Sequence, residues 1–390
     1  MALTSHRLRE EVRIELSAAQ QAFAEEVEHF AATQVAPRAA AAEKARAHDP
    51  ALLEQLRSRG YLGPLVPRQF GGMGLDGVCM VLLIEALSRA DAALGFIVSV
   101  NADVAAIPIL RYGTAHQQEA YLPRLADGFA GFALTEAGAG SDAASQTSTA
   151  VLDGDAYVLN GHKRFGTNAP LCGFLTVIAA TDPAAGPKGL SAFLVEGDAP
   201  GLSLGRREDT MGLRAAQVTD VILQDVRVPT QNLLGRPGDG LRIGLSAIDY
   251  GRVGIGAQGV GIASAALTAA TAHATRRQQF GRAIADFQAI QFMLADMAVQ
   301  LETARLLTLR AAVAMDAGGR FSLPAAMAKL AGSVCAKEVA DKALQIHGGG
   351  GYTTDYPVER YYRDARALEI YEGTTEIMRM VIAKALLEQG

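Results

Sequence analysis

The chain has 390 residues, with 36 Lys and Arg against 41 Asp and Glu, three Cys and no Trp. At ~100–200 residues per domain this length implies two or three domains, and a chain this long needs no disulfide or metal staple. A 49% hydrophobic composition excludes a disordered chain, and a net charge of −5 without any Lys/Arg block argues against nucleic acid as the main partner.

In chain order, Met1–Leu16 carries Glu10, Glu11 and Glu15 and no apolar core, so it reads as neither a secretory signal nor an acid-poor transit peptide. From Ser17 to Leu125 apolar residues recur at helical spacing, as in Phe23, Val27 and Phe30, and Val78–Ala90 reads as a buried helix. The apolar runs Ala92–Val100 and Gly173–Ala180 are too short to span a bilayer, so no membrane span is expected. From Gly128 to Arg236 the period shortens to that of strands. Asp153-Gly154 and Asn160-Gly161 read as tight turns, and Leu175–Ala180, Ser191–Glu196 and Thr219–Val226 as further strands. From Gly240 onward long helical segments return: Leu241–Phe280, Gln288–Met315, Pro324–Ile346 and Thr374–Leu387. The expected domains are helical over 1–127, a β-domain over 128–236 and a helical bundle over 237–390. Cys79, Cys172 and Cys335 are odd in number and follow no metal-ligand spacing, so no metal site is expected and a reducing cytoplasm is the expected location.

Five segments carry candidate chemistry. Phe132–Asp142 joins an apolar strand to Thr135 and a Gly-rich turn ending in Ser141-Asp142, which suits either a pyrophosphate or a plain loop. Phe165 and Thr167, two apart on a strand, would put a flat ring and a hydroxyl on one face, either for an isoalloxazine or for the core. Arg276–Gly281 ends a helix with either dipole-complementing or phosphate-binding arginines. Gln345–Tyr352 stops a helix with a Gly run, beside which His347 is more often a packing residue than a base. In Tyr371–Ile377, Thr374 or Thr375 caps a helix, and Glu372 before it could act as a base if its pocket were apolar.

Singly these motifs are weak, but their order and spacing across residues 15–388 resemble the acyl-CoA dehydrogenase family of flavoproteins, closest to short-chain (butyryl-type) members. The matching features include Gly71-Gly72-Met73-Gly74-Leu75, Leu134-Thr135-Glu136 with Gly138, Gly140, Ser141 and Asp142, and Gln278-Gln279-Phe280-Gly281. They continue through Phe287-Gln288, Tyr361-Tyr362-Arg363-Asp364 and Tyr371-Glu372-Gly373-Thr374. The resemblance implies an α+β multidomain fold: an N-terminal all-α domain, a central β-barrel or sandwich, and a C-terminal four-helix bundle. It also implies FAD, a homotetramer built as a dimer of dimers, and an electron-transfer flavoprotein as electron acceptor.

The implied reaction is α,β-dehydrogenation of a short-chain acyl thioester to the trans-2-enoyl product. Glu372 would be the base, its backbone N–H would polarise the thioester carbonyl, and the hydride would pass to flavin N5. Some relatives carry the base on a bundle helix, but the aligned position here is Gly251. Phe132, Leu134, Thr135, Ser141, Phe165, Thr167, Gln288, Thr374 and Glu376 would surround FAD. Arg277, Gln279, Phe280, Gln345 and Gly349 would hold the FAD of a neighbouring subunit. Ser141, Asp249, Arg252 and Gly373 would bind the substrate. Ala137, Arg68-Gln69-Phe70 and Ala215-Ala216 depart from the family pattern. The last replaces a Ser that helps bind CoA in many members, which leaves acyl-CoA and an acyl-carrier-protein thioester both open. An enoyl-thioester reductase or a specialised biosynthetic desaturase is the alternative.

Overall fold

The computed structural model describes residues 15–388, so the reading of Met1–Leu16 lies almost wholly outside the described residues. Seven helices come first: α1 (Ala18–Phe30), α2 (Ala39–Ala45), α3 (Pro50–Ser58), α4 (Gly77–Ala90), α5 (Ala92–Val100), α6 (Ala106–Tyr112) and α7 (Ala115–Ala126). Side-chain caps start most of the longer ones: Ser17 and Thr114 form capping boxes with Gln20 and Gln117, and Asp49, Asp76 and Asp91 accept first-turn N–H groups. A single π turn, Asn101–Ala105, joins α5 to α6. The apolar run starting at Ala92 therefore extends to Tyr112, which is long enough to cross a membrane, as is Gly240–Arg276. Within those apolar windows, 94% and 78% of residues are buried inside the protein, as core helices are.

The middle segment holds β1 (Phe129–Ala133), β2 (Thr149–Asp153), β3 (Ala156–Gly166), β4 (Cys172–Ala180), β5 (Leu190–Glu196), β6 (Leu202–Arg207), β7 (Thr219–Pro229) and β8 (Leu233–Leu234). They form one sheet, ordered β6-β7-β3-β2-β4-β5-β8, with β1 running parallel to β4. The sheet folds around its own core, in which Leu159 of β3, Val177 of β4, Phe193 of β5 and Val221 of β7 pack together. The opposite faces of β4 and β5 pack on α6, α7 and the helix after β8 through Phe174, Ile178 and Leu194. Burial on both faces explains why β4 reads as an unbroken apolar run.

One expected turn is overturned. Asp153-Gly154 does turn, with Gly154 at φ +65 and Asp153 opposite Ala156. At Asn160-Gly161, however, β3 runs straight on, with only a bulge against β7. Asn160 exchanges two hydrogen bonds with Asp225, and a Cβ at Gly161 would lie 2.1 Å from Ser148 Oγ. Here glycine serves close approach rather than a turn.

The remaining helices are α8 (Gly240–Arg276), α9 (Gln288–Asp316), α10 (Ser322–His347), α11 (Val358–Leu368) and α12 (Thr375–Leu387). α8, α9 and α10 pack on one another, and α11 and α12 lie against α10. The expected helix through Phe280 instead ends at Arg276. A small antiparallel hairpin follows, β9 (Gln278–Gln279) and β10 (Arg282–Ala283), turned by Phe280 at φ +51 and Gly281 at φ +77. One apolar core runs through both helical segments, joining Val27 and Ile97 to Ile262 and Val339. α8 is buried on most sides, and its glycines admit neighbours: a Cβ at Gly259 would lie 2.3 Å from the Gly332 carbonyl oxygen of α10.

Candidate active site

Glu372 and Gly373 stand consecutively at φ +51 and +97, in the loop between α11 and α12. A non-glycine residue in this left-handed region is held there by its surroundings. Thr374 caps α12 by accepting from Ile377 N at 3.3 Å. Arg252 Nε donates to the Glu372 carbonyl at 3.4 Å, and Lys329 Nζ donates to that of Gly373 at 2.6 Å. Tyr371 OH donates to Gln258 Oε1 at 2.5 Å, and its ring lies 4.8 Å from that of Phe96. The turn is thereby fixed on both sides of Glu372.

The Glu372 side chain lies against Gly251 of α8. A Cβ there would fall 2.2 Å from Oε2, so the carboxyl occupies the volume that any other residue at position 251 would fill. Oε2 is buried without a hydrogen-bond partner. Burial drives the Glu372 carboxyl well above the ordinary carboxylate range, and the nearby Asp103 adds to this; Arg252 and Lys329 oppose it. Burial also lowers the Lys329 ammonium to about 8. A buried, unpartnered and hard-to-ionise carboxyl in a rigid turn is the arrangement of a general base rather than of a structural ion pair.

The end of β1 meets the end of β3. Arg164 N donates to the Thr135 carbonyl at 2.8 Å, which brings Thr135 beside Phe165. Phe165 sits at φ +60 with its ring 54% exposed and the Arg164 guanidinium 4.8 Å from the ring centroid. Thr167 lies beyond the last strand residue, so the expected strand geometry of Phe165 and Thr167 does not hold; the left-handed turn at Phe165 sets their relation instead. Asn168 Nδ2 donates to the Ile97 carbonyl at 2.9 Å, tying this turn to α5. Phe132 and Leu134 approach Gly244 of α8, Ser141 is exposed in an open Gly-rich loop, and Glu376 is exposed in the first turn of α12.

Arg277, Gln279 and Phe280 cluster at the far end of α8, and Phe280 is 93% exposed. Gln345 and Gly349 are exposed near the end of α10, and Gln288 is exposed at the start of α9. Gly251 and Arg277 are 26 residues apart on this helix axis, roughly 39 Å at 1.5 Å per residue, so one chain does not bring the Arg277 group to Glu372. His347 is a packing residue: its Nδ1 pairs with the Ala343 carbonyl at 2.8 Å, and its ring stacks 4.2 Å from that of His273. Asp249 and Arg252 pair at 2.7 Å on one face of α8; besides holding the Glu372 turn, the pair is tied to Ser322 through Asp249.

Two residues that sequence reasoning passed over support the site. Lys163, fully buried, donates to Glu136 Oε1 at 2.7 Å, Gln146 Oε1 at 2.8 Å and the Leu134 carbonyl at 3.3 Å, pinning the Gly-rich loop. Burial opposes ionisation of Glu136, but bonds from Lys163, Ser148 and Thr147 outweigh it and hold the carboxyl at about 2. Asp103, in the π turn, is the second; its carboxyl accepts from Ser99 Oγ at 2.7 Å.

Comparison with known proteins places the chain in a family. The chain matches the acyl-CoA dehydrogenase N-terminal domain over residues 17–129, the middle domain over 131–226 and the C-terminal domain over 238–387. It is 43% identical over 376 residues to the mitochondrial short-chain specific acyl-CoA dehydrogenase of Mus musculus, covering 96% of this chain and 91% of that protein. It is also 43% identical over 340 residues to a Caffeyl-CoA reductase-Etf complex subunit of Acetobacterium woodii, covering 87% and 90%. The butyryl-CoA dehydrogenase structure from Megasphaera elsdenii superposes with a TM-score of 0.93 at 38% identity, covering 96% and 99%. On fold and similarity alike, the chain belongs to the acyl-CoA dehydrogenase family.

Proposed function

We propose that this protein is an FAD-dependent dehydrogenase of short-chain acyl-CoA thioesters, with Glu372 as the base. The observation that carries this reading is the buried, unpartnered Glu372 Oε2 beside Gly251. The residues fit FAD: Phe165 holds a left-handed backbone at the end of β3 and is half-exposed, with the Arg164 guanidinium against its ring, and a flat ring stacked there would bury its exposed surface. Phe132, Leu134, Thr135, Ser141 and Thr167 would line the same cofactor, with Thr374 and Glu376 at the start of α12. Bound FAD supplies the acceptor for the hydride leaving substrate Cβ.

The chain's own residues do the rest. Glu372 takes the proton from substrate Cα, and an environment that raises its carboxyl makes it a stronger base once ionised. Arg252 fixes the Glu372–Gly373 peptide, and the backbone N–H of Glu372 would bind the thioester oxygen as negative charge develops there. Phe96 and Tyr371, in ring contact behind Glu372, would keep water from that side of the carboxyl. Gly373 would line the thioester, and Ser141, Asp249 and Arg252 would face the carrier.

The roughly 39 Å between Gly251 and Arg277 supports a reading in which the two groups serve different cofactors. Arg277, Gln279, Phe280, Gln345 and Gly349, with Gln288, would serve the FAD of a neighbouring subunit in a homotetramer. Phe292, Val299, Leu306 and Val313, exposed every seventh residue along α9, support a helix-to-helix subunit contact. An electron-transfer flavoprotein is the proposed acceptor, supported by the relative that forms an Etf complex. The proposed location is the cytoplasm, in keeping with free Cys79, Cys172 and Cys335.

Anaerobic mixing with a panel of acyl-CoA and carrier-protein thioesters tests this reading. Butyryl-CoA is expected to bleach the flavin, and Glu372→Gln to abolish the bleaching while retaining FAD. The absence of bleaching by every saturated thioester would overturn the dehydrogenase reading. If enoyl thioesters still reoxidised the reduced protein, the reductase would take its place.

A further inference from the structure

Gly251 and Gly254 lie three residues apart on α8, and each leaves room for a carboxyl. A Cβ at 251 would fall 2.2 Å from Glu372 Oε2, and a Cβ at 254 would fall 2.5 Å from Asp103 Oδ2. Cβ positions three apart on a helix are ~5–6 Å from each other, so the two carboxyls are neighbours on one helix face. Both are buried. Asp103 comes from the π turn between α5 and α6, an irregularity common at functional sites. Its own bonds are short and local: Oδ2 accepts from Ser99 Oγ, and Oδ1 accepts from Val104 N at 2.5 Å. None of these bonds is to a cation.

We propose that Asp103 is a positioning residue for proton abstraction, its carboxyl and that of Glu372 forming a buried pair on the Gly251–Gly254 face of α8. The proposal deepens the reading of Glu372 as the base and rests on it. Two neighbouring buried carboxyls cannot both ionise easily, so the pair retains a proton where an isolated carboxyl would have lost it. Asp103 itself is pushed up to about 7 by burial, against the bonds from Ser99 and Val104. The groups facing the pair are Arg252 on α8, Lys329 on α10 and Tyr371 in the loop before α12. Arg252 and Lys329 favour an ionised Glu372, whereas the ionised Asp103 opposes it. Asp103 thus raises the proton affinity of the base without touching substrate.

The test titrates the infrared C=O band of protonated carboxyl groups in the FAD-loaded protein, with no turnover required. Wild type is expected to lose two buried protons in separate steps. Asp103→Asn, whose oxygen can still accept from Val104 N while its amide donates to Ser99 Oγ, should leave one step, lowered by about two pH units. That is the size expected for unit charges ~5–6 Å apart at an effective dielectric of ~20. The pH profile of flavin bleaching should move acidward by the same amount, with KM unchanged. Glu372→Gln reads the pair from the other side: Glu372 is still protonated when Asp103 ionises, so this variant should lose the upper step and keep the lower one in place, which keeps the test valid if Asp103→Asn fails to fold. A Glu372 step and a bleaching profile unmoved by Asp103→Asn would overturn the proposal, as would the persistence of both steps, or the loss of the lower one, in Glu372→Gln. Two coupled steps in a protein that no acyl thioester bleaches would support the pair and overturn the dehydrogenase reading instead.

Discussion

Gly251 on α8 and Glu372 before α12 are complementary in volume: a single methyl group at position 251 would lie 2.2 Å from Oε2 and 2.7 Å from Cδ of the Glu372 carboxyl. Gly251→Ala must therefore displace the carboxyl, because the helix backbone cannot retreat through its buried packing. Alanine is the better helix former by about 1 kcal/mol, which offsets part of the overpacking, and the variant is expected to fold and retain FAD. A displacement of about 1 Å at a reacting group costs on the order of 100-fold in rate. Stopped-flow flavin bleaching should show a loss of that order with a near-normal melting temperature. An unchanged rate would mean that the carboxyl does not act from this position.

Glu372 and Gly251 could be singled out because their motifs occur in a characteristic order, which local pattern alone could not have weighed; Phe165 was singled out too, but on a strand rather than at the left-handed turn it occupies. Lys163 and Asp103 were not legible. Lys163 meets Glu136 only because β3 folds back beside the loop after β1, a contact 27 residues distant in sequence. Asp103 sits in an apolar run, and its importance depends on which helix face covers it. Asn160-Gly161 misled for the same reason: the local rule reads a turn, whereas the close approach of Ser148 requires the glycine.

Lys163→Met should separate the support of the Gly-rich loop from the chemistry. The variant leaves Glu136 buried and charged with only Thr147 and Ser148 as donors. Breaking a buried pair in this way costs about 3–5 kcal/mol. Denaturant unfolding should show a loss of that size, and dialysis should strip FAD faster than from wild type. Glu136→Gln combined with Lys163→Met should recover part of the stability.

Asp364 provides a pH test. Its Oδ1 accepts from Leu213 N at 2.6 Å across the β-domain and α11. Burial, aided by the charge of Glu43 and opposed by the Leu213 bond, pushes this carboxyl from 3.8 to about 7. A raised carboxyl contributes stability that is full below its unfolded value, near pH 4, and is lost as pH rises through about 7. Asp364→Asn keeps the acceptor and cannot ionise. Its melting temperature relative to wild type should rise from pH 4 to about pH 7 and level off above that, and a constant difference across this range would refute the assignment.

The α9 stripe tests the assembly. Val299→Glu together with Leu306→Glu places two charges on the exposed apolar row while leaving the bundle core untouched. Light scattering should show a smaller oligomer than wild type, with the helical content unchanged. An unaltered mass would remove this face from the interface.

Phe165 separates strain from binding. A bulky residue in the left-handed region costs roughly 1–2 kcal/mol, and here the strained residue is half-exposed, with the Arg164 guanidinium against its ring. Asparagine tolerates that backbone far better. Phe165→Asn should therefore leave the apoprotein as stable as wild type or more so, because little apolar contact is lost. It should weaken FAD retention, because the stacking ring is gone. Melting curves of the apoprotein and flavin release by equilibrium dialysis would read the two effects separately. A variant less stable as apoprotein, with undiminished flavin binding, would show that the ring serves the core rather than the cofactor.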